Sequence, residues 1–282
     1  MKKSSCLVLC MLVALLSGCS RHPSHQAQGY IEGRYTYMAT SVSGRLEQLL
    51  VQRGTNVKAG QLLFILQPEP ESDAYATALA NQEQARLDEE VIKPNIEYAR
   101  LTYERYKTLV PKNAIQQSEL DSARANYFSL QQQLDKSMAA FESAKATALQ
   151  AKWTTEQKEV SAPVDAIVFD TYYRLGEYTQ SGQAVISLLA PNDIKAIFYI
   201  SEKYLGAIRL GDDISVLCDG CQKDIKGHIS FISPSAEYTP PVIYSEQTNE
   251  KLIYRVEAMF NPSEAYQLHP GQPISVTYYS HV

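Results

Sequence analysis

Five cysteines are the residues of this 282-residue chain best suited to chemistry, and their spacing separates them into two groups. Cys6, Cys10 and Cys19 fall near the amino terminus; Cys218-Asp219-Gly220-Cys221 stands alone far downstream. A structural zinc site would need a second cysteine or histidine pair, and a thioredoxin-like redox motif would need a helix opening at the cysteines. The sequence offers neither. Asp-Gly instead signals a tight type I′ hairpin between strands at 213–217 and 224–229. Cys218 and Cys221 would then face each other across the turn, either as a local disulfide in an oxidising compartment or as two free thiols at a strand end. His22 and His25 have no cysteine or carboxylate nearby and make a poor metal site. No HExxH, GxSxG or GxxxxGK[ST] occurs, so protease, hydrolase and ATPase chemistry has no motif, no cofactor is implied, and an enzyme is not expected.

The amino-terminal cysteines belong to a leader. Lys2 and Lys3 precede an apolar run from Cys6 to Leu16, and Leu16-Ser17-Gly18-Cys19 closes it, in the order of a removable export signal over residues 1–18. The run is 11 residues, against roughly 20 for a membrane-spanning helix. The four residues ending at Cys19 resemble a bacterial lipobox, whose cysteine is acylated and becomes the new amino terminus. Several acyl chains hold a protein on a membrane stably where one does not. With 26 basic and 31 acidic residues the net charge is −5, and no cluster of Lys or Arg could neutralise a row of phosphates, so nucleic acid is not an expected partner. Residues 19–30 lack both period and apolar mass and read as a lipidated, flexible tether.

Beyond the tether, two distant segments repeat at an offset of 122 residues: Gly54 aligns with Gly176, Gly60 with Gly182, Gln61 with Gln183 and Leu66 with Leu188. Each unit reads as strand, glycine turn, short extended piece, glycine turn, strand, with glycine where positive φ is needed. Neither half can close a core alone, so the two are expected to pack as a small β-sandwich (halves at 42–69 and 160–192). Between them the character changes. Leu120, Ala123, Tyr127, Leu130, Leu134, Ser137, Phe141, Ala144, Ala148 and Ala151 follow a 3-4 spacing, and so do Tyr75, Ala78, Gln82, Ala85, Glu89, Ile92, Ile96, Ala99, Tyr103 and Tyr106. Two heptad stretches joined at Val110–Ala114 imply an antiparallel coiled-coil hairpin over 70–159, with Pro94 kinking its first helix. Helices of roughly 38 residues would reach on the order of 55 Å. From 193 to 282, strand-like runs alternate with Gly, Pro and Asp breaks, which implies a β-barrel with membrane-proximal β-strands, to which residues 31–41 add a strand segment. The fold class is α+β.

A split lipoyl-like sandwich, a hairpin and a β-barrel in this order resemble the periplasmic adaptors, also called membrane fusion or HlyD-type secretion proteins. The resemblance rests on Val42-Ser-Gly44-Arg-Leu with Gly54 to Gln61, on Ser161-Ala-Pro-Val-Asp-Ala-Ile-Val168 with Gly176 and Gly182-Gln183, and on Leu268 to Val276. Gly227 to Pro240, followed by Leu252 to Val256, is similar to adaptors of ABC-type exporters. Ala166 replaces the family's usual glycine in the second half-motif. The resemblance implies a ring, commonly a hexamer, between an inner-membrane transporter (ABC-type favoured, resistance-nodulation and facilitator types open) and a TolC-like outer-membrane channel. It places channel docking at Arg105, Leu109 and Gln116, the last in place of the family's serine. Ser20 after the lipid cysteine resembles an outer-membrane sorting signal, although inner-membrane attachment suits such an adaptor better. The alternative is an envelope lipoprotein scaffold that binds a partner through its coiled coil without transport. A lipoyl or biotinyl carrier is disfavoured, because residues 67–159 occupy the place of the modified lysine.

Overall fold

The computed structural model describes residues 24–221, 223–238 and 252–279. The leader, Cys19 and Ser20 lie outside the described residues. The chain forms two compact units, one containing residues up to Thr36, Asp165–Phe169 and the chain from Leu188, the other Tyr37–Val164 and Asp170–Ser187.

In the first unit, β1 (Ser24–Gly33) joins strands from the far end of the chain. The partners are β10 (Ile194–Ser201), β11 (Asp213–Cys218), β12 (Ile225–Ile232), β14 (Leu252–Phe260) and β15 (Pro273–Tyr279), with the short β13 (Glu237–Tyr238) added to β14. The order β10-β1-β15-β11-β12-β14 closes through β10–β14 pairing into a six-stranded barrel. Alternate residues point inward and fill it: Phe198 and Ile200 from β10, Val216 from β11, Val256 from β14, Val276 from β15. Full closure leaves these strands no edge to aggregate through.

The strand β1 corrects the sequence reading twice. The expected tether at 19–30 is strand from Ser24 onward. The segment 31–41 is divided: Ile31–Gly33 end β1, and Thr36–Ala39 begin the next strand. The inward positions of β1 are His25, Ala27, Gly29 and Ile31, so little apolar mass marks it in sequence. A Cβ on Gly29 would collide with the Ile197 carbonyl oxygen, so glycine is what lets β1 lie against β10. The register Gly29↔Phe198 and Gly29↔Ile274 seats it between its two neighbours.

The sandwich, most of which belongs to the second unit, uses β2 (Thr36–Ala39), β3 (Gly44–Leu49), β4 (Asn56–Val57), β5 (Leu62–Leu66), β6 (Glu159–Ser161), β7 (Ala166–Thr171), β8 (Tyr178–Thr179) and β9 (Ala184–Leu189). One sheet runs β6-β5-β3-β8 and the other β2-β9-β7-β4. Neither repeat makes a sheet of its own. Shifting residue numbers by 122 exchanges the two sheets strand for strand, and each sheet takes two strands from each repeat. The hydrogen bonds follow: Gly60 N–H donates to Ala162 O at 2.8 Å and Gly182 N–H to Thr40 O at 2.9 Å. Gly54, Gly60, Gly176 and Gly182 have φ of 85°, 80°, 87° and 78°, which an L side chain rarely adopts. The interlock explains why neither repeat could stand alone.

Candidate functional site

The hairpin is the region whose surface is not committed to a core. Helix α1 (Glu71–Leu109) and helix α2 (Gln117–Glu156) have 39 and 40 residues, each about 60 Å long. All twenty seam positions named from the heptad spacing are buried or half-buried, while most of the positions between them are exposed. Tyr103 and Tyr127 stack across the seam with ring centres 6.0 Å apart. Helix α1 is continuous through Pro94, whose missing N–H leaves a carbonyl one turn earlier without its usual donor. Next to it, Asn95 Nδ2 donates to Val91 O at 3.3 Å.

At the tip, a 3₁₀ turn over Val110–Lys112 ends at Asn113, which takes the left-handed conformation (φ 54°) and turns the chain. Arg105 and Leu109 are one helical turn apart on one face of α1, Arg105 exposed and Leu109 half-buried. Gln116 is exposed in extended backbone as the residue before α2. The three therefore share the tip, and a guanidinium, an apolar side chain and an amide are available there to a partner. Beside them is a groove of about 410 Å³ lined by Thr102, Tyr106, Ser118, Glu119, Ser122, Ala123 and Asn126. Its signal in the sequence is Ala123 in the seam, with the small polar residues Ser118, Ser122 and Asn126 close by on the same helix.

Away from the seam α1 carries a second apolar stripe, Leu87, Val91, Tyr98 and Leu101, at heptad-compatible spacing and 48–71% exposed. Helix α2 exposes Phe128, Met138, Leu149 and Trp153 to a similar degree, each beside or near a seam position. In the sequence these residues stand among charged neighbours and off the 3-4 spacing of the seam, which hides them. Ion pairs of a single helix surround them. Arg86 bridges Glu83 and Glu90 at 2.7 Å, and Arg100 pairs with Glu97 at 2.7 Å. Hydrogen bonds from these guanidinium groups hold the Glu83 and Glu97 carboxyls below the usual carboxylate range.

The cysteine pair lies in the barrel unit. The sulfurs of Cys218 and Cys221 are joined, with Cα atoms 5.2 Å apart. The turn is not type I′. Gly220 has φ 89° while Asp219 is not left-handed, and Cys221 N–H donates to Cys218 O at 3.0 Å, the pattern of a type II turn. Strand β12 begins only at Ile225, so the strands are not joined by two residues and need no twist-matched turn between them. A groove of about 620 Å³ borders the pair, lined by Asp219, Cys221, Lys223, Gln267, His269 and Gln272 among others. Inside the barrel, burial pushes the Tyr278 hydroxyl above the usual tyrosine range, and partial burial on the barrel's outer face does the same for Tyr199. Among the described residues no group of three or more His, Cys, Asp or Glu is placed to hold a metal, and no helix is long and apolar enough to cross a membrane.

The hairpin matches the family model "RND MFP, alpha-helical hairpin domain" over residues 75–154. The crystal structure of MacA from Actinobacillus actinomycetemcomitans superposes with a TM-score of 0.75 at 19% identity, covering 92% of this chain and 79% of that one. The membrane fusion protein Spr0693 from Streptococcus pneumoniae R6 does so with a TM-score of 0.65 at 16% identity, covering 92% and 100%. The chain has the fold of a membrane fusion protein. Among curated relatives, a UPF0194 membrane protein of Enterobacter sp. (strain 638) is 26% identical over 99% of this chain and 98% of its own length. The family model covers the hairpin, and the likeness to the solved structures extends over both the hairpin and the β-domains.

Proposed function

We propose that this protein is a periplasmic adaptor of a Gram-negative efflux or secretion system, linking an inner-membrane transporter to a TolC-like outer-membrane channel. One observation carries the reading: a two-helix hairpin of about 60 Å whose seam is filled, yet which keeps an exposed apolar stripe on α1 and exposed apolar residues on α2. Two different faces suit head-to-tail packing of copies, which closes into a ring when the rotation allows. Arg105, Leu109 and Gln116 at the tip are the docking residues for the channel. An ABC-type transporter is favoured as the pump by the likeness of 227–240 and 252–256 to adaptors of that class. The anchor is an acyl group on Cys19, with the inner membrane favoured and Ser20 leaving the outer membrane open.

The test places a photo-crosslinking residue at Arg105 and another at Tyr98 of the full chain, expressed in cells of its native host. Adducts with an outer-membrane channel from the tip and with a second copy from Tyr98 are expected. Adducts from the tip with a non-channel envelope protein, and a monomer at Tyr98, would favour a scaffold lipoprotein instead. Acyl labelling that survives Cys19→Ala would refute the anchor.

A further inference from the structure

Where the hairpin leaves the sandwich, one side chain joins three segments distant in sequence. Lys158 follows α2, and its side chain is 3% exposed. Its Nζ donates to Ser43 O at 2.9 Å, just before β3, and lies 2.8 Å from Glu71 Oε2, the first residue of α1. Glu71 Oε2 is buried and has no well-aligned hydrogen-bond donor, so charge rather than hydrogen-bond geometry carries that pair. Thr155 Oγ1 donates to Glu71 O at 3.1 Å and ties the two helix ends directly. The Lys158 backbone belongs to the sandwich as well, its carbonyl accepting from Leu66 N–H at 2.9 Å.

The near-symmetry of the sandwich shows that this arrangement occurs on one side only. Moved by 122 residues, Lys158 corresponds to Thr36, Ser43 to Asp165 and Gly44 to Ala166. A Cβ on Gly44 would lie 3.0 Å from Lys158 Nζ and 3.3 Å from Leu66, tighter than ordinary contact. Glycine is therefore kept on the side that holds the ammonium, and alanine stands on the side that has threonine in its place. The same comparison accounts for Ala166, the departure from the glycine pattern noted in the sequence.

We infer that Lys158 is a positioning residue, a buried ionic latch that fixes the direction in which the hairpin leaves the sandwich. A buried charge pair adds little net stability over an apolar pair of equal volume, because desolvation offsets the attraction. It does penalise every arrangement in which either charge loses its partner, and tilting α1 at its root pulls Glu71 from Lys158. A hairpin of this length turns a small tilt at its root into a large displacement at its tip. That consequence for docking rests on the adaptor reading; the latch itself does not.

The experiment measures direction apart from stability, on the purified full chain. Nitroxide-bearing residues replace the exposed Arg53 in the sandwich and Lys136 on α2, and the distance distribution between them is recorded by pulsed electron spin resonance. In Lys158→Met the distribution is expected to broaden about twofold with helix content unchanged. The double variant Lys158→Met/Glu71→Met removes both charges; its urea midpoint is expected to return toward that of the parent while the distribution stays broad. A parental width in either variant would overturn the inference, and the double variant keeps the test open if Lys158→Met does not fold. No pump or channel enters the measurement, so a failed latch and a failed adaptor reading are told apart.

Discussion

The hairpin and the barrel solve the problem of burying apolar surface in opposite ways. The barrel closes six strands around one core, in which Phe198, Val216, Val256 and Val276 are fully buried. The hairpin buries a single seam between two helices, in which Ala78, Ile92, Ala99 and Ala148 are the only buried positions among the described residues of the two helices. A closed core is indifferent to what lies outside it, whereas a two-helix seam leaves most of each helix surface for other uses. The contrast predicts that the barrel is where stability resides and the hairpin is where substitutions change interaction with little change in folding.

The largest effect tests the barrel side. Phe198→Ala should cost about 3–5 kcal/mol, since it opens a cavity in a core that cannot collapse around it. Ile92→Ala in the seam should fall at or below the low end of the ~2–5 kcal/mol range, because two helices can close the gap by approaching each other. Urea denaturation of the full chain, followed by the fluorine resonance of a fluorophenylalanine placed at the buried Phe260 for the barrel and by helicity for the hairpin, measures both. An equal loss would mean that the seam is packed as tightly as the barrel, and the contrast would fail.

The next effect is on interaction. Val91→Glu and Tyr98→Glu replace side chains 67% and 71% exposed. Each should change stability by no more than about 0.5 kcal/mol, as surface substitutions do, and should abolish crosslinked higher oligomers. Arg105→Asp, at the tip, should lower export at an unchanged protein level, while oligomers persist. Unchanged oligomers in the stripe variants, or unchanged export in Arg105→Asp, would take the corresponding surface out of the adaptor reading.

What the sequence disclosed follows the same division. The seam was legible to the residue, because a heptad is a local pattern and every one of its positions from Tyr75 to Ala151 is shielded. The repeat was legible as well, through glycines that the backbone requires at Gly54, Gly60, Gly176 and Gly182. Barrel closure was not. Strand β1 offers Ala27 and Gly29 where an apolar residue would have marked it, and its partners are some 160 to 250 residues away in the chain. The latch was hidden for a different reason. A lysine at a helix end reads as a solvated charge, and only the meeting of Ser43, Glu71 and Lys158 shows it to be buried. Arg105, Leu109 and Gln116 carry no local pattern of their own; family resemblance singles them out, and the fold gathers them at the hairpin tip.

The smallest effect is on pH dependence, and the two regions should differ in its sign. Glu83 and Glu97 have folded-state carboxyl pKa values lowered by hydrogen bonds from Arg86 and Arg100. A lowered value means stability that is present above the ordinary carboxylate pKa of 4.5 and lost as pH falls through the folded value. Both groups are fully exposed, so screening keeps the effect small and salt should reduce it further. Tyr278 is the reverse. Burial raises its pKa above 10.0, so its contribution is complete below that value and is lost as pH rises through it toward the folded one. Circular dichroism at 222 nm between pH 5 and pH 3 should therefore show α1 beginning to fray at low salt while the barrel signal, the fluorine resonance of a labelled Phe260, holds. Between pH 9 and pH 11 the barrel signal should weaken first. If both signals moved together at either end, hairpin and barrel would be responding as one cooperative unit, and the division between a closed core and a bare seam would have no thermodynamic meaning.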